Sequence, residues 1–229
     1  MTAPTDLEQA RFNMIEQQIR PWDVLDPQVL QLLSVLKRED FVPPAHKALA
    51  FVDMEIPLQG TFEDAQRLGQ VMLAPRVEAR MLHDLAVQKH EKVLEVGTGS
   101  GFMAALLAHR AQRVISLELD AALATQARSN LQKAGIHNAD VRVGDGAKAV
   151  LNEGPFDVIV LSGSVAEVPQ ALLAQLKAGG RLAAIVGDEP MMRATFVTRI
   201  SETGFESTQP WDTVAPRLLN FKQPSAFRF

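Results

Sequence analysis

The sequence predicts an α/β fold: a doubly wound, seven-stranded, mostly parallel sheet with a C-terminal antiparallel hairpin and an N-terminal helical cap. Three observations carry this reading. Apolar runs at residues 93–96, 114–117, 141–143, 158–161 and 182–186 recur with helical stretches between most of them, the alternation that builds a parallel sheet covered on both faces. The first run leads through Gly97, Gly99 and Gly101 into a helical stretch, which reads as a buried strand, a tight turn and a helix N-terminus. Beyond residue 186, two extended stretches meet at Gly204 without a crossover helix, so they should run antiparallel to each other.

Taken in order, residues 6–19 suit an amphipathic helix, with Asp6 as a cap and Leu7, Ala10, Met14 and Ile15 on one side. A second helix should start at Pro27, a first-turn position after Asp26, and end near Leu36. Pro21, Pro43, Pro44 and Pro57 break up this region; a loop is expected from residue 52, then a helix from Pro75 through Leu85. Within the sheet, helices are expected at 103–110, 121–134 and 168–177, the last closed by a Gly179-Gly180 C-cap. Strands at 194–200 and along 205–220 finish the chain. The right-handed crossover rule then leaves chiefly doubly wound topologies. Residues 1–88 form a helical cap and substrate-side lid, and residues 89–229 one compact ligand-binding unit.

Composition narrows the function classes. The 229-residue chain carries a net charge of −4 and a pI near 5.8, so no nucleic-acid partner is expected. No apolar run approaches the ~20 residues of a membrane span, and no membrane partner is expected. The chain has no cysteine, which suits a reducing compartment, and its first residues lack a basic and apolar secretory pattern. A cytoplasmic location is the expectation. His46, His83, His90, His109 and His137 are scattered without metal-ligand spacing, so no metal is expected. Nothing in the sequence sets the oligomeric state.

The strand ends carry the chemistry. Glycines in the 97–101 turn let a ligand lie against the backbone. Glu118 ends the second strand about twenty residues past the first glycine, where a carboxylate can accept both ribose hydroxyls; a strand-end carboxylate can equally cap the helix that follows. Asp145, between Gly144 and Gly146, could receive an adenine amino group or simply make a turn. Ser162 lies where the crevice should pass, and could satisfy backbone or touch ligand. These ends mark one edge of one sheet, where α/β folds bind ligands.

The spacing G-x-G-x-G, the helical region before it and the terminal hairpin resemble class I S-adenosylmethionine-dependent methyltransferases with a Rossmann-like sheet. A narrower resemblance rests on Met14-Ile-Glu-Gln-Gln-Ile-Arg20, Asp26, Val29-Leu30, Arg38-Glu-Asp-Phe-Val-Pro43, Gly69-Gln70 and Val93-Leu-Glu-Val-Gly-Thr-Gly-Ser-Gly101. Gly144-Asp-Gly146, Pro155-Phe-Asp157, Val168-Pro169, the stretch from Gln175 to Leu182, and Val186-Gly187 extend it over nearly the whole chain. The chain resembles the protein-L-isoaspartate O-methyltransferases, which methylate the free α-carboxylate of L-isoaspartyl residues in damaged protein. The resemblance implies S-adenosyl-L-methionine as cofactor and isoaspartyl protein or peptide as partner. It places Glu95, Gly97, Thr98, Gly99, Ser100 and Gly101 at the methionine end of the cofactor, Glu118 at the ribose, and Asp145 and Gly146 at the adenine.

One segment departs from the family. The family's Gly-Gln is followed by Thr-Ile-Ser, whose hydroxyls sit at the active site, whereas Gln70 is followed here by Val71-Met72-Leu73. Losing two such hydroxyls removes about 0.5–1.5 kcal/mol of hydrogen bonding each. No catalytic residue is assigned. The substrate-side candidates are Gln70, Met72, Leu73, Arg76 and Arg217. Arg76 could grip a carboxylate in two places or be a solvated helix arginine, and Met72 and Leu73 could wall an acceptor pocket or be core. Trp22 and Trp211 read as packing. The alternatives are a methyltransferase with another acceptor, a small molecule or other macromolecule, or a cofactor-binding protein without isoaspartyl activity; an NAD-dependent enzyme is more distant.

Overall fold

A computed structural model of the chain describes residues 6–223. Residues 1–5, which belong to the N-terminal stretch expected to lack a secretory pattern, lie outside them, as do residues 224–229. Among the described residues no helix is long and apolar enough to cross a membrane.

The first part of the chain is helical. α1 (Asp6–Met14) runs into a wider turn at Ile15–Ile19 and a tight one at Arg20–Trp22, so the expected single helix over 6–19 keeps its regular winding only to Met14. α2 (Pro27–Val35) starts as the sequence predicts: Asp26 accepts the Gln28 N–H at 2.8 Å and Pro27 sits in the first turn. Its Val29, Leu30, Leu32 and Leu33 are buried. Two short tight turns, Arg38–Asp40 and Pro44–Leu49, lead to a ribbon of β1 (Ile56–Pro57) and β2 (Val71–Met72), with α3 (Phe62–Leu68) between them. α3, capped by Thr61 and stopped by Gly69 at φ 68, stands where the sequence predicts only a loop. α4 (Pro75–Leu85) buries Val77, Met81, Leu82 and Leu85.

The sheet then follows. β3 (Lys92–Val96), α5 (Phe102–Arg110), β4 (Arg113–Glu118), α6 (Ala121–Lys133), β5 (Ala139–Val143), β6 (Phe156–Val165), α7 (Gln170–Leu173), β7 (Leu176–Asp188), β8 (Met191–Arg199) and β9 (Phe205–Asp212) succeed one another. The seven strands order as β5-β4-β3-β6-β7-β8-β9. β3 pairs in parallel with β4 and β6, β4 with β5, and β6 with β7, while β8 is antiparallel to both β7 and β9. The chain starts at β3, moves outward to β5, and returns to the other side of β3 at β6, so the strand order reverses there. That reversal is where an open α/β sheet leaves a crevice at its carboxyl edge.

The period of two places Val93 on one face with Leu106, Leu131 and the cap, and Leu94 on the other with Ile115 and Ile159. The second face is covered by α7, partly buried Ala149 and Leu151, and the tail residues Leu218 and Phe221. A helix over 168–177 does not form; only Gln170–Leu173 is helical, and Leu176 already belongs to β7. Gly179 and Gly180 are inside that strand, at a register shift opposite Phe156 and Val158. A Cβ on Gly180 would lie 2.9–3.0 Å from carbonyls of Lys177, Asp157 and Phe156, so this glycine admits a close backbone approach rather than ending a helix.

Candidate functional site

The carboxyl ends of β3, β4, β5 and β6 converge on a cavity of about 240 Å³. The turn after β3 is held by Gly97, whose N–H donates to the Leu117 carbonyl at 2.8 Å. Gly97 and Gly99 adopt φ values of 90 and 53, a region that strains residues with a Cβ. Glu118 closes the turn from β4: its Oε2 accepts the Gly99 N–H at 2.8 Å and its Oε1 the Asp120 N–H at 3.0 Å. Each carboxylate oxygen keeps a second lone pair for a ligand. Asp145 follows β5, and its Oδ1 accepts the Ala147 N–H at 3.0 Å. A Cβ on Gly146 would come within 2.2 Å of the Val96 side chain, so no side chain fits there.

Gln70, Gly97, Gly99, Glu118, Asp145, Gly146, Ser162 and Arg217 all line this cavity. Glu95, Thr98, Ser100 and Gly101 are brought together behind it. Glu95 is fully buried and accepts hydroxyl protons from Ser116 at 2.6 Å and Ser162 at 2.8 Å. Burial pushes its carboxyl up to about 8, with the charges of Glu78 and Glu118 acting in the same direction. Thr98 and Ser116 hydroxyls meet at 2.5 Å, and Ser100 offers its carbonyl to Asn130 at 3.0 Å. Gly101 caps α5 and packs against Ala127. Glu95 thus couples β3 to β4 and, through Ser162, to the cavity wall on β6.

The substrate-side candidates divide. Met72 is buried in the ribbon, whereas Leu73 and Arg76 line a second cavity of about 600 Å³. Arg76 is not a solvated helix arginine: it pairs with Asp53 and lies 4.2 Å from the Trp22 ring centroid. Trp22 in turn meets Trp211 edge to face, and Trp211 donates to Asp84 at 2.7 Å. Arg217 donates to the Gly187 carbonyl at 2.8 Å and to Asp188 at 2.7 Å, while its Nη1 is buried without a partner. None of the histidines lines either cavity.

The ribbon is fixed from below and from the side. Arg38, almost wholly buried, pairs with Glu78 and donates to the Leu73 carbonyl at 2.6 Å and the Ala50 carbonyl at 3.0 Å. Gln70 donates to Asp120 at 3.2 Å, tying the ribbon to the sheet edge. Asp120 and Leu218 line the cavity and Asn220 bonds its lining residue Asp145, and none of the three was singled out from the sequence. Asp120 was hidden behind its neighbour Glu118, although its place just before a helical run is a cap signal. Leu218 and Asn220 fall in the stretch expected as strand to residue 220, but β9 ends at Asp212 and the residues after it return as an irregular tail beside the cavity.

The cavity suits a nucleoside carrying a charged tail: bare backbone at the glycine turn, a two-oxygen acceptor at Glu118, and Val96, Leu117, Leu123 and Phe221 as apolar lining. A family model described as Protein-L-isoaspartate(D-aspartate) O-methyltransferase (PCMT) matches residues 9–213. A protein-L-isoaspartate O-methyltransferase of Syntrophus aciditrophicus is 38% identical over 195 residues, covering 85% of this chain and 86% of that one. Protein-L-isoaspartate O-methyltransferase 1 of Syntrophobacter fumaroxidans is 40% identical over 183 residues, covering 80% and 82%. A Plasmodium falciparum protein crystallised with S-adenosyl-L-homocysteine shares the fold, with a TM-score of 0.72 at 17% identity over 94% of this chain and 99% of that one. With most of its length matched by the family model and by relatives of this identity, the chain belongs to the protein-L-isoaspartate(D-aspartate) O-methyltransferase family.

Proposed function

We propose that the protein methylates the free α-carboxylate of L-isoaspartyl residues in damaged polypeptides, using S-adenosylmethionine. The observation that carries this reading is the convergence of the glycine turn, Glu118 and Asp145 on one cavity, in a chain of this family. Glu118 would take the ribose hydroxyls, Asp145 and Gly146 the adenine, and the 95–101 turn the methionine end, with Glu95 bracing Ser162 from behind. When bound, the cofactor supplies a methyl group on a sulfonium sulfur.

The chain's own task is then placement. A peptide α-carboxylate has a pKa of about 3.3–3.7 and is ionised at neutral pH, so no general base is needed. Residues 1–88 act as a lid that keeps water from the transfer and holds the acceptor in line. Arg217, with one buried nitrogen still unpartnered, is the donor best placed for an anion beside the cofactor. A reducing cytoplasm fits a chain without cysteine.

Transfer of radiolabel from S-adenosylmethionine to an isoaspartyl peptide, recovered as a base-labile ester, is the expected result. Ester no higher than in a no-enzyme control overturns the assignment. The apolar run Val71-Met72-Leu73, buried throughout, favours one second reading, a different acceptor on the same cofactor. In that case V71T/M72I/L73S creates or strongly raises isoaspartyl activity, and an unchanged rate counts against it.

A further inference from the structure

The second cavity lies across the ribbon from the first. Gln70 and Val71 line the cofactor cavity, while Leu73 and Ala74 line the other, so one short segment walls both. The second cavity has an apolar lining from Met54, Phe62, Leu73, Val77 and Met192, with exposed Met191 at its mouth. Its cations are already matched: Arg76 with Asp53, and Arg193 with Asp212 at 3.0 Å. Glu55 is not. Among the described residues no cation pairs with it, and its carboxylate accepts only the Gln66 side-chain amide, at 2.6 Å. Burial raises its pKa, and the nearby Glu189 charge adds to that, the mark of a carboxylate lacking a positive partner.

We propose that this cavity receives a lysine or arginine side chain of the acceptor polypeptide, its aliphatic stem against Met54, Leu73 and Met191 and its charged head at Glu55. The inference rests on the reading of the acceptor as an isoaspartyl polypeptide. Long basic side chains are suited to such a site, because they bury the stem while pairing the head. An acidic side chain would meet Glu55 and Glu189 together.

The ribbon also sets the distance. Ile56 is opposite Met72 and Pro57 opposite Val71, which brings Glu55 beside Leu73 and Leu58 beside Gln70. Leu58 reaches the glycine turn, within 3.2 Å of where a Cβ on Gly99 would be. Glu55 and the turn are therefore separated by the ribbon's own run from 55 to 58, about 10 Å at about 3.3 Å per residue. An extended acceptor peptide spans that gap at the same rise, so the basic residue belongs about two to four positions from the modified one.

Short isoaspartyl peptides in which one lysine is moved along either flank, with norleucine and glutamate counterparts, test this. At one such position lysine should lower KM about five- to tenfold relative to norleucine, with the change in KM rather than kcat, and glutamate should raise it. E55Q should erase the lysine advantage and E55K should transfer it to glutamate. Equal KM for all three peptides, or lysine selectivity that survives in E55Q, overturns the inference. If no peptide is methylated, the proposed function fails separately, and fluorescence anisotropy of labelled peptides still reads the cavity. Tighter binding of the lysine peptide than of the norleucine peptide, lost in E55Q, supports the inference; equal binding overturns it.

Discussion

Asn220 donates its side-chain amide to the Asp145 carboxylate, Nδ2 to Oδ2 at 3.0 Å. A tail residue thereby meets an acid at the end of β5 that is proposed to take the adenine amino group. The tail is anchored beside β6, where Ser164 donates its N–H to the Pro216 carbonyl at 2.8 Å and accepts from Leu218 N–H at 2.9 Å. A Cβ on Gly97 or Gly163 would fall 2.8–2.9 Å from the Leu218 side chain, so the tail presses on the glycine turn itself.

Removing that competing amide should tighten cofactor binding. Asn220 has φ 67, a conformation glycine adopts freely, so N220G deletes the donor without straining the backbone. The gain should be about 0.5–1.5 kcal/mol, up to about tenfold in Kd, whereas D145A should weaken binding. Calorimetry with S-adenosylmethionine checks both; a weaker Kd in N220G would show that the tail helps to hold the ligand.

Glu118 has a double task, which makes its amide variant informative. Its two oxygens accept the N–H groups of Gly99 and Asp120, and an amide can offer only one oxygen. E118Q should therefore both loosen the turn and lose charge-assisted bonds, about 1.5–3 kcal/mol, or roughly ten- to a hundredfold in cofactor Kd. The thermal midpoint of the ligand-free protein should fall as well. An unchanged midpoint with weaker binding would confine Glu118 to ligand contact.

Much of this site could be read in the sequence because the parallel strands announce themselves. Residues 93–96 and 114–117 are buried on both sides, so they appear as mainly apolar runs, broken only by the mutually bonded Glu95 and Ser116, and the residues that follow them line the edge. Glu118 and Asp145 could be found that way. The ribbon could not, since Ile56–Pro57 and Val71–Met72 are too short to show a period. Gly179 was misread for a related reason: its φ of 78 is shared by helix caps and strand bulges, and only the pairing with β6 tells them apart. Arg76 and Arg217 carry charges whose partners, Asp53 and Asp188, lie far enough along the chain that no local pattern links them.

Arg38 and Glu78 form a buried pair within the cap, between the tight turn Arg38–Asp40 and α4. Burial raises the Glu78 pKa while the guanidinium opposes it. R38M strands that carboxylate and frees the Leu73 carbonyl, so a loss of about 3–5 kcal/mol in unfolding free energy is expected. R38M/E78L removes both charges and should recover much of it. Urea titration of both variants measures this; a double variant as unstable as R38M would mean that the ribbon contact at Leu73, not charge burial, dominates.

Glu95 gives the protein a pH dependence opposite to that of a salt-bridged carboxylate. Its pKa rises from an ordinary 4.5 to about 8 in the folded chain. Below the lower value both states hold the proton and stability is flat with respect to this group. Between the two, the unfolded chain releases the proton and the folded chain keeps it, so stability falls as pH rises, by at most about 1.4 kcal/mol per pH unit. Above about 8 both states are ionised, and the loss is complete. E95Q keeps the shape and hydrogen-bonding capacity but cannot ionise, so its urea-unfolding free energy should lack this component and exceed the wild type on the alkaline side. Parallel stability curves for the two proteins across this range would show that Glu95 stays ionised, with Ser116 and Ser162 supplying enough hydrogen bonding to hold the charge in the core.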